Sequence, residues 1–274
     1  MMTMNGNNGN FQIPLEVLKD ILSSGLIIIG NKKCGKSNAG KVILHQFIQR
    51  QKDFPSLRVK IFDTVFNWRY SFTSIPYILV NEDNDTEDFL RKIALADSHL
   101  IVDVDYLYSD EAQEVIGEIL EYDYLHKKQL KIANQGKITE NSLYLIEEAQ
   151  NIIGTYALMR EEGKFWLKMV SEGRNMGINF IFIGQRAGDI SPKAVERSQN
   201  YLIGLTLGDN NKRKVKSIAG KDVMERAEKL NTGEFIFYNG LHTYFVRFPL
   251  FKSNSKPYPY QYKPDNKPIW KLIK

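Results

Sequence analysis

Apolar positions along this chain follow two rhythms in turn. Short continuous or alternating apolar runs predict strands, and stretches whose apolar residues return every three or four positions predict helices. The strand patterns fall at residues 25–29, 56–63, 75–80, 99–104, 142–146, 179–185 and 201–207. Helical patterns lie between them at 38–48, 87–96, 109–128, 161–175 and 192–198, with two more between 210 and 230. Residues 11–22, with Pro14 near their start, predict a short helix entered at proline. Thr86 or Asp85 is placed to cap the helix at 87, and Ser109 the helix at 109. Strands alternating with helices predict an α/β fold, a mostly parallel sheet with helices on both faces. The runs 233–238 and 242–248 flank Asn239-Gly240, a tight-turn signal, so a C-terminal β-hairpin is expected.

Composition changes the picture mainly at the two ends. Residues 1–10 are polar, rich in Asn and Gly, and lack the apolar core of a signal peptide, so they read as disordered. With 274 residues, 43% of them hydrophobic, the chain can form one large α/β domain with small appendages. No run approaches the roughly 18 apolar residues that crossing a membrane requires. A soluble intracellular protein without stable membrane insertion is expected. Cys34 is the only cysteine, which excludes an internal disulfide and a cysteine zinc cluster. The net charge is +5 and the pI about 9.0. From Lys252 onward six lysines face Asp265 alone, and Lys212, Arg213, Lys214 and Lys216 form a second basic cluster. Such clusters attract nucleic acid through phosphate contacts and are also common as plain solvated surface. Pro257, Pro259, Pro264 and Pro268 interleave with Tyr258, Tyr260, Tyr262 and Trp270, which predicts an extended arm docked on its own domain or on a neighbour. The expected division is a polar segment with a short helix at 1–24, one main domain at 25–251 and the arm at 252–274.

Candidate chemistry is concentrated in three places. Gly30-Asn31-Lys32-Lys33-Cys34-Gly35-Lys36-Ser37 reads G-x-x-x-x-G-K-S, a phosphate-binding P-loop, set between a predicted strand and a predicted helix. Gly30 and Gly35 let backbone amides close on a polyphosphate, and the helix start adds partial positive charge. Lys36 is expected to reach the β- and γ-phosphates of ATP and Ser37 to bind Mg²⁺. Gly30, Lys33, Cys34, Gly35, Lys36, Ser37 and Asn38 are therefore the candidate nucleotide-binding residues. Cys34 reads as filler in the loop, with a redox role as the alternative. A P-loop needs an acidic partner. Asp103 ends one apolar run, and Glu147-Glu148 end another. Adjacent acids can divide the labour, so Glu147 is assigned to Mg²⁺ and Glu148 as catalytic base. Gln185 closes the run 180–184 as a sensor of the γ-phosphate would. Arg174 either stabilises a transferring phosphoryl group or meets a helix macrodipole.

In this order the motifs resemble the HerA/FtsK superfamily of hexameric DNA-pumping ATPases, on its HerA side. The matching stretches are the P-loop, the strand ending in Asp63, and the strand 100–105 followed by a long helix containing Gln113. Leu145-Ile146-Glu147-Glu148-Ala149-Gln150, Gly173-Arg174-Asn175-Met176-Gly177-Ile178, Ile183-Gly184-Gln185-Arg186 and Thr232-Gly233-Glu234-Phe235 complete them. The resemblance covers about residues 25–250. It implies a RecA/ASCE-like P-loop NTPase fold and a ring, a hexamer, with ATP bound between subunits. Arg174 would then act in trans and Gln185 as sensor, with Arg186 as a second phosphate or interface contact. Gln150 stands where a histidine is common, and Ala187 where a proline is common. A bare motor of this size, without the β-barrel of cellular HerA or a membrane anchor, resembles the genome-packaging ATPases of membrane-containing viruses. The implied partners are double-stranded DNA and a capsid or portal component, and the implied location is the host cytoplasm or the virion. Two other readings are a cellular or plasmid translocase of the same superfamily, in transfer, repair or defence, and a Zot-like phage assembly ATPase that never grips DNA. The candidate DNA contacts are residues 152–164 and 212–216; the arm is expected in a neighbour's groove.

Overall fold

The strand patterns above close into a single sheet in the computed structural model, which describes residues 11–65, 67–154, 161–186, 188–252 and 269–272. Side chains are described for these except at 161–164, 167, 193 and 269–272. Among the described residues the chain order is α1 (Leu15–Ser24), β1 (Leu26–Ile29), α2 (Lys36–Gln49), β2 (Leu57–Asp63), β3 (Tyr77–Leu79), α3 (Glu87–Ala94), β4 (Leu100–Asp103), α4 (Ser109–Ala133) and β5 (Asn141–Ile146). Then follow α5 (Gln150–Ile153), α6 (Glu161–Glu172), a 3-10 turn (Gly173–Met176), β6 (Ile178–Gly184), α7 (Pro192–Arg197), β7 (Asn200–Ile203), α8 (Asp209–Ala219), α9 (Lys221–Ala227), β8 (Glu234–Tyr238), β9 (Thr243–Arg247) and β10 (Ile269–Leu272).

The sheet order is β10-β9-β8-β7-β1-β6-β5-β2-β4-β3. Every pairing from β3 to β7 is parallel, and β8, β9 and β10 add antiparallel to the β7 edge. Period-two alternation sorts the buried side chains onto two faces. Leu26, Ile28, Leu143, Leu145, Ile181 and Ile183 meet α1 and α2. Ile27, Ile29, Tyr144, Ile146, Phe180 and Phe182 meet the layer of helices from α3 to α9. Helices therefore cover both faces, which is why the central strands are apolar on both sides rather than alternating with polar residues.

Several local expectations need correction. Ser109 is the first residue of α4 rather than its cap; the Glu111 carboxylate accepts the Tyr108 backbone N–H at 2.8 Å, and the helix runs on to Ala133. The stretch after the paired acids holds the four-residue α5 instead of a polar loop, and Ile152 and Ile153 are buried in the core. They cannot touch DNA, while residues 155–160 of that candidate contact segment lie outside the described residues. The arm's residues 269–272 form β10 on the chain's own sheet, with Trp270 opposite Val246, and not in a neighbour's groove. The expectations for 1–10 and for the proline-rich 253–268 also fall outside the described residues.

His99 gives this fold a pH dependence. Its Nδ1 accepts the Val59 N–H at 3.0 Å between β2 and β4, and its Nε2 is buried without a hydrogen bond. Burial, assisted by Arg58, holds the imidazole below its usual pKa. The unfolded chain therefore binds this proton more readily than the folded one, so stability is full above about pH 6.5 and is lost as pH falls below it. His99→Gln keeps an acceptor for Val59 and cannot titrate. Denaturant unfolding between about pH 7 and pH 5 should show a flatter loss of stability for this variant than for the wild type.

Candidate active site

Parallel pairing decides what meets at the carboxyl edge of the sheet. Ile29 lies level with Gly184 and with Ile203, and Ile146 with Phe182. The P-loop, the paired acids and Gln185 therefore leave three adjacent strands, β1, β5 and β6, at one edge. β6 is the strand between the loop and the acids.

The loop is shaped by backbone conformations that ordinary side chains avoid: φ is 154° at Gly30 and 99° at Gly35, and Lys33 is left-handed at 68°. A Cβ on Gly30 would sit 2.8 Å from Cys34 Sγ and 3.1 Å from Gly204 Cα. The Cys34 thiol thus fills the space beneath the loop; it is buried, and burial pushes its pKa up, which keeps it neutral and unreactive. This supports the filler reading over the redox one. The loop is tied down on both sides. Asn31 accepts the Leu207 N–H at 3.1 Å, and Gly233 N–H donates to Cys34 O at 2.9 Å. Lys36, largely buried, donates to Gly30 O at 2.9 Å and Asn31 O at 3.0 Å. The Asn38 side chain is committed elsewhere, donating to Pro249 O and accepting the Phe251 N–H, both at 2.8 Å. Its backbone amide is the group left to face a phosphate.

Ser37 Oγ donates to Glu147 Oε1. Glu147 is 4% exposed, and its other oxygen accepts Trp68 Nε1 at 2.5 Å and Asn67 Nδ2 at 3.4 Å. Burial raises the Glu147 pKa, and the hydrogen bonds from Ser37 and Trp68 and the charge of Lys41 oppose that rise. Lys41 donates to Asn67 O at 3.0 Å and to its side-chain oxygen at 3.1 Å; its pKa is lowered by burial, against the pull of Glu147 and Asp63. Asp63, buried at the end of β2, accepts the backbone N–H groups of Trp68 at 2.7 Å and Asn67 at 2.9 Å. Burial raises its pKa and those N–H groups lower it. Asp63 thus folds the aromatic loop after β2 so that Trp68 reaches Glu147. Trp68, Asn67 and Lys41 were not anticipated. The density of aromatics at 66–72 was the only signal, and it carried no indication of target.

Glu148 points elsewhere. Its backbone is left-handed, with φ 47°. Gln185 Nε2 donates to both its carboxylate oxygens, at 2.9 and 3.1 Å, and Gln150 Nε2 donates to Oε2. Asp103, the rival acid, is buried with its oxygens taken by Tyr77 OH and the Asp105 N–H. It lies at the tip of β4, beyond β2 from the paired acids. Beside the P-loop a cleft of about 640 Å³ is lined by Asn31, Lys32, Gln185, Arg186 and Asp209 among others. Arg186 is exposed at its rim.

Arg174 is not brought to this site. It is exposed in the 3-10 turn before β6, at the amino edge of the sheet. The seven residues of β6 separate it from Gln185, roughly 20 Å at about 3.3 Å per residue. Arg197, which the sequence did not single out, lines a small cleft together with Arg174 at that edge. The basic stretch 212–216 lies on α8, where Lys212 pairs with Glu228.

A donor set of one hydroxyl and one carboxylate suits Mg²⁺, which typically takes one or two protein oxygens and completes its shell with phosphates and water. Among the described residues no cluster of three or more His, Cys, Asp or Glu side chains could hold a metal.

Strand order, P-loop, paired acids and the glutamine on the intervening strand together make up a P-loop NTPase-like fold. No protein-family model matches the chain, and no curated protein does. Solved structures do. The genome packaging NTPase B204 from Sulfolobus turreted icosahedral virus 2, in complex with AMPPCP, is 16% identical with a TM-score of 0.59, covering 83% of this chain and 98% of that one. VirB4 of Thermoanaerobacter pseudethanolicus is 12% identical with a TM-score of 0.57, covering 86% and 91%. ATPases 2 and 3 of EssC from Geobacillus thermodenitrificans are 12% identical with a TM-score of 0.57, covering 87% of this chain and 41% of that one. No helix among the described residues is long and apolar enough to cross a membrane.

Trp68→Phe keeps the buried ring and removes the N–H that steadies Glu147. Loss of an outer partner of a metal ligand typically costs about 10- to 100-fold in metal affinity. Titrating Mg²⁺ against binding of a fluorescent ATP analogue should show a shift of that order in the Mg²⁺ requirement, with metal-free nucleotide binding unchanged.

Proposed function

We propose that this chain is an ATP hydrolase that works as a ring, a hexamer, to move double-stranded DNA, and that the DNA is a viral genome delivered to a capsid or portal component. The observation that carries the reading is the pairing of Glu148 with Gln185 beside the Ser37–Glu147 contact. On this reading the base, the phosphate sensor and the metal-binding pair share one sheet edge with the P-loop. The likeness to B204, described as a genome packaging NTPase, supports the choice of cargo.

Each residue then has a defined task. Lys36 exchanges the loop carbonyls it holds for the β- and γ-phosphates. Ser37 Oγ and Glu147 would hold Mg²⁺, which supplies neutralising charge to the phosphate oxygens. Glu148 takes the proton of the attacking water as general base. Gln185 reads the γ-phosphate. Arg174, too far to act within its own subunit, stabilises charge on the transferring group of the next one, and Arg186 contacts phosphate or interface at the cleft rim. DNA is gripped through its phosphates, since any sequence must pass. The likeness to VirB4 and EssC, with TM-scores close to that of B204, favours as a second reading a translocase outside viruses, or an assembly ATPase that does not grip DNA.

Three measurements test this. Lys36→Ala should abolish nucleotide binding, whereas Glu148→Gln should bind ATP without turning it over; normal turnover in Glu148→Gln would remove Glu148 as the base. Inactive Arg174→Ala and inactive Glu148→Gln, mixed, should recover part of the activity, because some interfaces then hold both intact groups. The loss in Arg174→Ala should be about 10³-fold or more, and absence of recovery in demonstrated mixed rings would exclude the trans role. ATPase activity should rise with double-stranded DNA and DNA affinity should fall steeply with salt; an ATPase indifferent to DNA would favour the assembly factor.

A further inference from the structure

The Glu148 carboxylate is gripped by two amides, and their surroundings differ. Gln185 stands at the tip of β6 and lines the 640 Å³ cleft together with Asn31 and Lys32 of the P-loop. Its side chain therefore borders open space. Gln150 begins α5, and its Oε1 is buried and has no hydrogen-bond partner. That oxygen lies 3.5 Å from where a Cβ on Gly184 would be. Turning the Gln150 amide over would set oxygen against the Glu148 carboxylate, so its orientation follows from that charge. An orphaned buried carbonyl is unfavourable, because it loses its water without gaining a partner. The contact with Glu148 is the side-chain hydrogen bond that Gln150 makes in return.

We propose that Gln150 is a positioning residue that aims the Glu148 carboxylate, while Gln185 is the arm that releases it when a γ-phosphate arrives. This rests on Glu148 being the base of the proposed hydrolase. With both amides in place, Gln185 covers both oxygens and obstructs the approach of water. Once Gln185 turns into the cleft toward phosphate, the fixed Gln150 donor holds Oε2 and leaves Oε1 free to accept the proton. The left-handed backbone at Glu148 turns the side chain off the strand toward β6, and these two amides hold its carboxylate there.

Gln150→Leu removes the donor at similar size, and Gln150→His offers a ring N–H in its place. For Gln150→Leu, kcat should fall about 10- to 100-fold, the scale seen when an outer partner of a functional group is lost. KM, nucleotide affinity and melting temperature should stay close to wild type. Gln150→His should restore most of kcat. An unchanged kcat in Gln150→Leu would overturn the proposal, as would a loss of kcat tracked by equal losses of nucleotide affinity and melting temperature. Glu148→Gln, run beside them, separates the two levels. If it still turns over ATP, the assignment of the base has failed. If it is dead while Gln150→Leu matches wild type, only the positioning role has.

Discussion

The structure depends on one carboxylate that has been taken out of water. Glu147 is almost fully buried, and an ionised group there must be met on both oxygens or take up a proton. Its partners come from separate parts of the chain: Ser37 from the start of α2, and Trp68 and Asn67 from the loop after β2. Thr64, from that same loop, donates to the Glu147 backbone carbonyl at 2.9 Å. Satisfying this one acid therefore draws the P-loop helix and the aromatic loop onto the end of β5. A Cβ on Gly40 would stand 2.8 Å from Ile183 Cδ1 and 3.3 Å from the Trp68 ring, so close packing on β6 and on this loop explains a glycine inside α2, where it otherwise weakens a helix.

The parallel sheet imposes a second constraint. Its strands leave the P-loop, both glutamates and Gln185 at one edge and Arg174 at the other. No rotation of side chains crosses that separation. If Arg174 takes part in hydrolysis, it does so on another subunit, and the proposed ring is the simplest arrangement that supplies one. The antiparallel β8 and β9 anchor the P-loop from the far side through Gly233 and the segment after β9 that holds Asn38. Changes in that hairpin are thus coupled to the loop through backbone contacts.

How much of this the sequence disclosed follows from the range of each interaction. The P-loop, the strand ends and the hairpin turn are local patterns, and periodicity places them with errors of a few residues. The pairing of Glu148 with Gln185 was partly legible because adjacent strands bring their tips together. The Trp68–Glu147 bond was not, since 79 residues separate the partners and nothing in an aromatic loop states which acid it serves. The four-residue α5 is too short to show a period. Asn38 reads as a phosphate contact by position alone, and its engagement with residues 249–251 exists only in three dimensions. The pairing of β10 with β9 was obscured because prolines dominate the residues before it.

That two neighbouring glutamates face different partners has a simple backbone cause. Along β5, Leu145 faces α2 and Ile146 the opposite helices. Continued alternation sends Glu147 toward α2, where Ser37 and Trp68 wait. The same alternation would send Glu148 into the apolar layer on the other face. The strand ends instead, and the left-handed residue at 148 turns its carboxylate along the sheet edge toward β6. Such a conformation costs of order 1–3 kcal/mol for a residue other than glycine. It is offset locally, because the turn lets Ala149 N–H donate to Ile183 O at 2.9 Å and bury its methyl group in the core. The two acids are therefore not interchangeable. Position 147 is set by strand periodicity and needs a side chain long enough to span Ser37 and Trp68, whereas position 148 is set by a strained turn and needs partners at the tip of β6.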